Sequence, residues 1–232
     1  MASSVDTWLK NWRSIINFNY IRDRLDFKFL KDIIRLSVFE YKNPMSPWIT
    51  IEMIKILENY LKEGDIGFEF GSGSSTIWLA KKTKRLISVE HNLEWFNKIR
   101  SWIISQEVGE KVKLIYVSGV DENKRNGITN YLQPILKLRN NSLDYCFVDG
   151  LFRDECILKA ISKIKSGGIL IMDNVDNYFP RNRTSVSIRY KRDNFSRAVS
   201  RAKMKKIYSI LGRWRCVWTT SAIQDTVMWI KP

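Results

Sequence analysis

The sequence of 232 residues is poor in the residues that build metal and redox centres. It holds three cysteines, Cys146, Cys156 and Cys216, and a single histidine, His91. No two cysteines stand in a CxxC pair, which excludes zinc and dithiol sites of the usual spacing, and sparse unpaired thiols fit a reducing, cytoplasmic setting. Acids are scarce too: 24 Asp and Glu stand against 39 Lys and Arg, for a net charge of +15. No run reaches the roughly 18 apolar residues that a membrane span requires. The stretch from Met1 to Lys10 is polar and acidic, without the apolar core of a secretory leader. Internal repeats and low-complexity tracts are missing as well, which excludes solenoid and array architectures.

What is present is ordinary globular material, 44% hydrophobic and 27% charged, in a chain long enough for one sizeable core without disulfide or metal staples. The positive charge is concentrated. Residues Arg181 to Arg215 hold twelve Lys and Arg against the single acid Asp193, a net +11 that leaves +4 for everything else. An excess of this kind points to an anionic partner: nucleic acid, a membrane surface or an acidic substrate.

Residues 1–60 read as a helical cap. Leu9, Trp12, Ile15 and Ile16 fall near helical spacing, as do Phe29, Leu30, Ile33, Ile34 and Val38. Pro44 and Pro47 punctuate the chain, and a third helix is expected over Ile49–Leu61. From residue 61 the pattern changes to short apolar runs alternating with helical stretches. Strands are expected at Ile66–Phe70, Leu86–Val89, Val112–Val117, Leu143–Val148 and Ile169–Met172. Helices are expected at Ser75–Lys82, after the N-cap Asn92, and through Ile157, Ala160, Ile161 and Ile164. This alternation predicts an α/β fold, a Rossmann-like, doubly wound and mostly parallel sheet. Cys216–Thr219 and Thr226–Ile230 predict a closing antiparallel hairpin. Residues 61–232 are thus expected to form one structural unit.

The sharpest motif is Glu69-Phe70-Gly71-Ser72-Gly73-Ser74-Ser75-Thr76, where a strand ends and a helix begins. Glycines there let the backbone turn tightly and approach a ligand, and the helix start presents free N–H groups. Glu90 follows Gly71 by 19 residues at the end of the next strand, where an acid can accept both hydroxyls of a ribose. A dinucleotide fold usually has a third Gly or Ala where this chain has Thr76. Asp149 ends the fourth strand, and Asp173 with Asn174 ends the fifth. Their three hard oxygen donors suit Mg²⁺ or another divalent metal.

The glycine motif, followed by Ile87-Ser88-Val89-Glu90-His91, resembles the first two motifs of class I S-adenosylmethionine-dependent methyltransferases. Phe147-Val148-Asp149-Gly150, Gly167 to Asn174 and the paired segments Trp214–Thr220 and Asp225–Ile230 resemble the later strands and final hairpin of that family. The resemblance covers residues 45–232 and is nearest in layout to small-molecule and sugar O-methyltransferases. It implies S-adenosyl-L-methionine as cofactor. Gly71 and Gly73 would pass under its methionine part, with Ser72, Ser75 and Thr76 completing the loop and Glu69 near the amino group. Glu90 would hold the ribose hydroxyls, His91 would flank ribose or adenine, Ser118 would lie near adenine, and Asp149 would reach the same cofactor.

Asp149, Asp173 and Asn174 resemble the metal-binding set of catechol and caffeoyl-coenzyme A O-methyltransferases, in which a metal aligns a substrate hydroxyl and lowers its pKa. Those enzymes often carry a Lys base three residues after the first Asp. Here Phe152 stands there, followed by Arg153, which stays protonated and is a poor base. Arg153 would orient an anionic substrate or pair with Asp149. Without metal, Asp149 or Asp173 would act as base, with His91 a more remote choice.

The expected acceptor is a small molecule or glycan, anionic if the basic segment overhangs the site. The alternatives are an RNA methyltransferase or nucleic-acid binder working through residues 181–215, and an inactive methyltransferase-like interaction module. Phe195, Val199, Ala202 and Lys206 fall near helical spacing within that segment, which also fits a solvated helix face. Trp8 and Trp12 suit packing on the body, a dimer contact or a peripheral membrane contact. Trp78, Trp95 and Trp102 are expected to pack within the cofactor domain, and Trp214, Trp218 and Trp229 within its closing hairpin.

Overall fold

The computed structural model describes residues 27–121, 125–179 and 201–232. The expectations for Trp8, Trp12, Phe195 and Val199, and for most of the basic segment, lie outside the described residues. The chain divides into two compact units, residues 1–44 and 45–232. In the first, the described element is helix α1, Phe27–Lys42.

The second unit opens with α2, Ile51–Tyr60. Thr50 caps it: its hydroxyl accepts from the Met53 N–H at 3.4 Å. The sheet alternation follows, with β1 Ile66–Phe70, α3 Ser74–Lys82, β2 Arg85–Glu90, α4 Leu93–Ser105, β3 Val112–Tyr116, α5 Ile128–Leu136, β4 Leu143–Val148, α6 Arg153–Ala160 and β5 Ile164–Asp173. A short 3₁₀ turn, Val175–Asn177, leaves β5; α7 Arg201–Leu211, β6 Arg215–Thr220 and β7 Asp225–Ile230 complete the unit. No helix among the described residues is long and apolar enough to cross a membrane.

The seven strands order as β3-β2-β1-β4-β5-β7-β6. The first five pair in parallel, while β7 pairs antiparallel with both β5 and β6. This is the expected doubly wound sheet with its closing hairpin. Parallel strands covered on both faces become continuous apolar runs. Accordingly Tyr145, Cys146, Phe147 and Val148 of β4, and Ile169 to Met172 of β5, are all buried. Strand order reverses between β1 and β4, which opens a crevice at their carboxyl ends, the usual ligand position in such sheets.

Three local expectations are corrected. The helix through Ile157 stops at Ala160, where Lys163 N–H turns back to the Ala160 carbonyl at 2.8 Å. Ile161 is its C-cap, and Ile164 begins β5 instead, paired with Leu143 across an irregular register. The helical spacing of Ile157, Ile161 and Ile164 thus spans the end of one element and the start of another. Second, α5 has no counterpart in the expected order. Thr129, Asn130 and Pro134 blur its pattern, but Tyr131, Leu132 and Ile135 are buried along it. Third, Lys206 of α7 is exposed, and the packed face is Met204, Ile207 and Leu211.

Candidate active site

The loop between β1 and α3 is built by contacts that only glycine permits. Gly71 has φ +86, and a Cβ there would lie 2.6 Å from Gly150 Cα. The glycine loop after β1 and the turn after β4 therefore touch backbone to backbone at the switch point. Gly71 N–H donates to the Val89 carbonyl at 2.9 Å, and Asp149 N–H to the Phe70 carbonyl at 3.0 Å, tying three strand ends together. Gly73 is extended (φ −167), and its N–H donates to Thr76 Oγ1 at 2.9 Å, closing the helix start.

Glu69 points beneath this loop and is wholly buried. Its Oε1 accepts from Ser75 Oγ at 2.5 Å, and its Oε2 from Thr76 Oγ1 at 2.6 Å and Ser88 Oγ at 2.5 Å. Burial raises its pKa from 4.5 to about 7; the three hydroxyls pull it back, and the nearby charge of Asp149 adds to the rise. Ser88 is brought here by the parallel register that sets it opposite Glu69. Ser72 is fixed on three sides. Its hydroxyl meets Ser88 Oγ at 2.6 Å, its N–H donates to Glu90 Oε2 at 3.2 Å, and its carbonyl accepts from Trp95 Nε1 at 2.7 Å.

Glu90 ends β2 with its carboxylate oriented by backbone donors. Oε1 accepts from the N–H groups of His91 at 2.8 Å and Asn92 at 2.7 Å. Asn92 in turn caps α4, accepting from Trp95 N–H at 2.9 Å, as its position predicts. His91 is partly exposed. Its Nδ1 lies 3.0 Å from Glu90 Oε1, yet has no partner in hydrogen-bond geometry. Its ring meets Tyr131 edge-on at 6.3 Å. Ser118, just beyond β3, is exposed.

At the ends of β4 and β5 the organising residue is Arg153. Its Nη2 donates to Asp149 Oδ1 and to the Asp149 carbonyl, both at 2.8 Å, and its Nε to the Gly150 carbonyl at 3.0 Å. Its Nη1 donates to the Asp173 carbonyl and, at 3.4 Å, to Asn174 Oδ1. The guanidinium thus clamps the two strand ends together. Asp173 is 2% exposed, and its Oδ1 accepts from Thr226 Oγ1 at 2.7 Å. Phe152 and Asn174, on either side of the clamp, both have φ 48, a left-handed conformation that costs a non-glycine residue of order 1–3 kcal/mol and clusters at functional sites.

The expected metal set does not fit a divalent cation in this arrangement. The cation between Asp149 and Asn174 is the Arg153 guanidinium, and Asp173 turns its Oδ1 to Thr226. Among the described residues, no group of three or more His, Cys, Asp or Glu is placed to hold a metal ion.

The residues expected around the cofactor fall into two groups in the structure. Gly71 and Gly73 follow the end of β1, and Glu90 and His91 stand at the end of β2, with His91 Nδ1 facing Glu90 Oε1 at 3.0 Å. Glu69, Ser75 and Thr76 are brought together, but with one another and below the loop. Three contributors were not foreseen. Trp95 and Ser88 brace the loop, and Tyr131 of α5 aims its hydroxyl at Gly150, where a Cβ would lie 2.1 Å from it. Ser88 had a signal, a small polar residue inside an apolar strand. Lys203 of the basic segment pairs with Glu155 and, at 3.6 Å, with Asp154 of α6, so part of that charge is internally matched. Residues 181–200 lie outside the described residues.

No family model matches the chain, and no curated protein matches it. Solved structures do. An O-methyltransferase from Bacillus cereus in complex with SAH is 16% identical and has a TM-score of 0.55, covering 92% of this chain and 96% of its own. An O-methyltransferase from Streptomyces achromogenes involved in tomaymycin synthesis, in complex with SAM, is 18% identical with a TM-score of 0.54, covering 90% and 92%. A precorrin-8w decarboxylase from Methanobacterium thermoautotrophicum is 15% identical with a TM-score of 0.50, covering 82% and 95%. The chain has the class I methyltransferase fold these structures share.

Proposed function

We propose that the protein is an S-adenosylmethionine-dependent methyltransferase acting on an oxygen of a small-molecule or glycan acceptor. One observation carries the reading. A glycine turn closed on Gly150 and a carboxylate, Glu90, held by backbone N–H groups stand together at the switch point of a doubly wound sheet. A carboxylate fixed in this way is pre-organised to accept the paired hydroxyls of a ribose. The loop backbone can approach a ligand closely because Gly73 has no Cβ to intervene. Two of the structures cited above were solved with SAM or SAH, and their shared fold supports the same cofactor class here.

When bound, the cofactor supplies an electrophilic methyl group on a sulfonium centre. The chain's own residues do the rest. Glu90 and His91 hold the nucleoside end, and the loop from Gly71 to Gly73 lies under the other end. Asp149, the more exposed acid at the strand ends with 30% of its side chain accessible, takes the proton that the acceptor hydroxyl gives up. Arg153 is a positioning residue: it aims Asp149 and holds β4 against β5. Methyl transfer in such a site depends mainly on holding both reactants in line away from water. No metal takes part.

The test is transfer of labelled methyl from S-adenosylmethionine into fractionated extracts. Label in a glycan or small-molecule fraction supports the proposal. Label confined to RNA, or cofactor binding without transfer to any fraction, contradicts it.

A further inference from the structure

One face of the sheet is left incompletely covered where it meets α5. β3 is the edge strand, and the parallel register sets Ile87 opposite Lys113 and Val89 opposite Ile115. Side chains two apart share a face, so these four lie together, with Val117 just beyond β3. Parallel strands in a doubly wound sheet are normally covered on both faces. Val89 is buried accordingly, but Ile87 and Ile115 are only partly so. α5 packs its Tyr131, Leu132 and Ile135 into the core on this face. Its Asn130, Gln133 and Pro134, with the C-cap Lys137, stand at i, i+3, i+4 and i+7 and form a second flank. Between that flank and the strands lies a groove of about 320 Å³, at the lower end of small-molecule sites. Its walls are Ile87, Ile115, Val117, Pro134 and Leu138. The polar groups that line it, Lys113, Lys137, Asn130 and Gln133, are all exposed, and no acid lines it. None of these four side chains has a hydrogen-bond or ion-pair partner among the described residues.

We propose that this groove binds a medium-chain carboxylate, with its hydrocarbon chain against Ile87, Ile115 and Leu138 and its carboxylate answered by Lys113 and Lys137. Charge complementarity selects this occupant. Both ionised groups at the groove are cations without a partner, and Asn130 and Gln133 add amide donors suited to a carboxylate. The apolar walls favour a hydrocarbon over water, since apolar cavities hold water poorly and accept apolar guests. A strand added from another chain would extend the sheet beside β3, in its plane, and would leave the groove beneath α5 unfilled. The groove runs along the strands for about four residues, roughly 13 Å, which suits an extended chain. Asp149 and Arg153 do not line it, so the site is separate from the strand-end acids. The inference is independent of the methyltransferase proposal.

The test is calorimetric titration of the full-length protein with decanoate, hexanoate, decanol and decyltrimethylammonium. Saturable one-to-one binding of decanoate is expected, with a Kd of about 1 mM or tighter. Hexanoate should bind more weakly, by about twofold to fourfold for each methylene lost. Decanol should bind more weakly than decanoate, and decyltrimethylammonium more weakly still. Lys113→Gln and Lys137→Gln are each expected to weaken decanoate binding about threefold, and the double variant about tenfold, while leaving decanol binding unchanged. Gln133→Trp, which sets a ring in the groove from an exposed position on α5, should abolish binding of both. Thermal melting checks that each variant folds; the two Lys variants lie at exposed positions and test the site should Gln133→Trp fail to fold. No saturable decanoate binding, equal affinity for decanoate and decyltrimethylammonium, affinity independent of chain length, or decanoate binding that the Lys variants leave unchanged would overturn the inference.

Discussion

Glu69→Gln is the substitution that most sharply probes how the cofactor loop is built. The carboxyl of Glu69 is buried under the loop and answered by three hydroxyls, yet burial wins and lifts its pKa from 4.5 to about 7. A rise of that size corresponds to about 3 kcal/mol. The sign follows from proton binding. Between pH 4.5 and about 7 the native state holds this proton and the unfolded chain has released it. Stability from this group is therefore greatest below pH 4.5, falls as pH rises through the window, and is level above about 7. Glutamine has nearly the same shape and does not titrate. Thermal unfolding of both proteins across the window should show the wild type losing ground to Glu69→Gln as pH rises. For a chain of this size about 3 kcal/mol is roughly 6–12 °C in midpoint. Taking the difference between the two proteins removes the contribution of every other acid. Parallel profiles, with a constant difference from pH 4.5 to above 7, would refute the reasoning.

Arg153→Met removes the partner of Asp149 and three carbonyl contacts, and should lower the urea-derived unfolding free energy by about 2–3 kcal/mol. Arg153→Lys keeps the charge but not the fork, so full recovery by Lys would contradict the clamp. Gly71→Ala should cost at least about 2 kcal/mol, because its Cβ meets Gly150 at 2.6 Å in a left-handed backbone. Gly73→Ala has its nearest contact at 3.5 Å and should fold normally while weakening cofactor binding; calorimetry and denaturation together separate the two effects. Methyl transfer should be unchanged by EDTA and by added Mg²⁺, and a loss on chelation would show that Arg153 does not take the place of a metal.

What the sequence made legible was whatever depends on local pattern. β1, β2 and β4 are strands of five or six residues, most of them buried, and stood out as apolar runs. Asn92 caps its helix through its own side chain, and the glycine loop sits between a strand and a helix where its spacing puts it. Features set by contacts between distant segments were hidden. The three hydroxyls around Glu69 were not legible, because nothing local shows Ser88 facing it from the neighbouring strand. The Asp149, Asp173 and Asn174 trio looked like a metal set because Arg153's reach across both strand ends is a tertiary fact. α5 was obscured by Pro134 and a polar first turn, and with it Tyr131. The charge of the late segment was countable, but the pairing of Lys203 with Glu155 was not.

The central claim is that Glu90 and the Gly71–Gly73 loop form a site for S-adenosylmethionine. It is tested most directly by calorimetric titration of that cofactor into the wild type and into Glu90→Ala, both checked for folding by thermal melting. Saturable one-to-one binding by the wild type, weakened at least about tenfold by removal of the charged hydrogen-bond acceptor, is the result expected. Equal affinity in the two proteins, or no binding by a folded wild type, would contradict it.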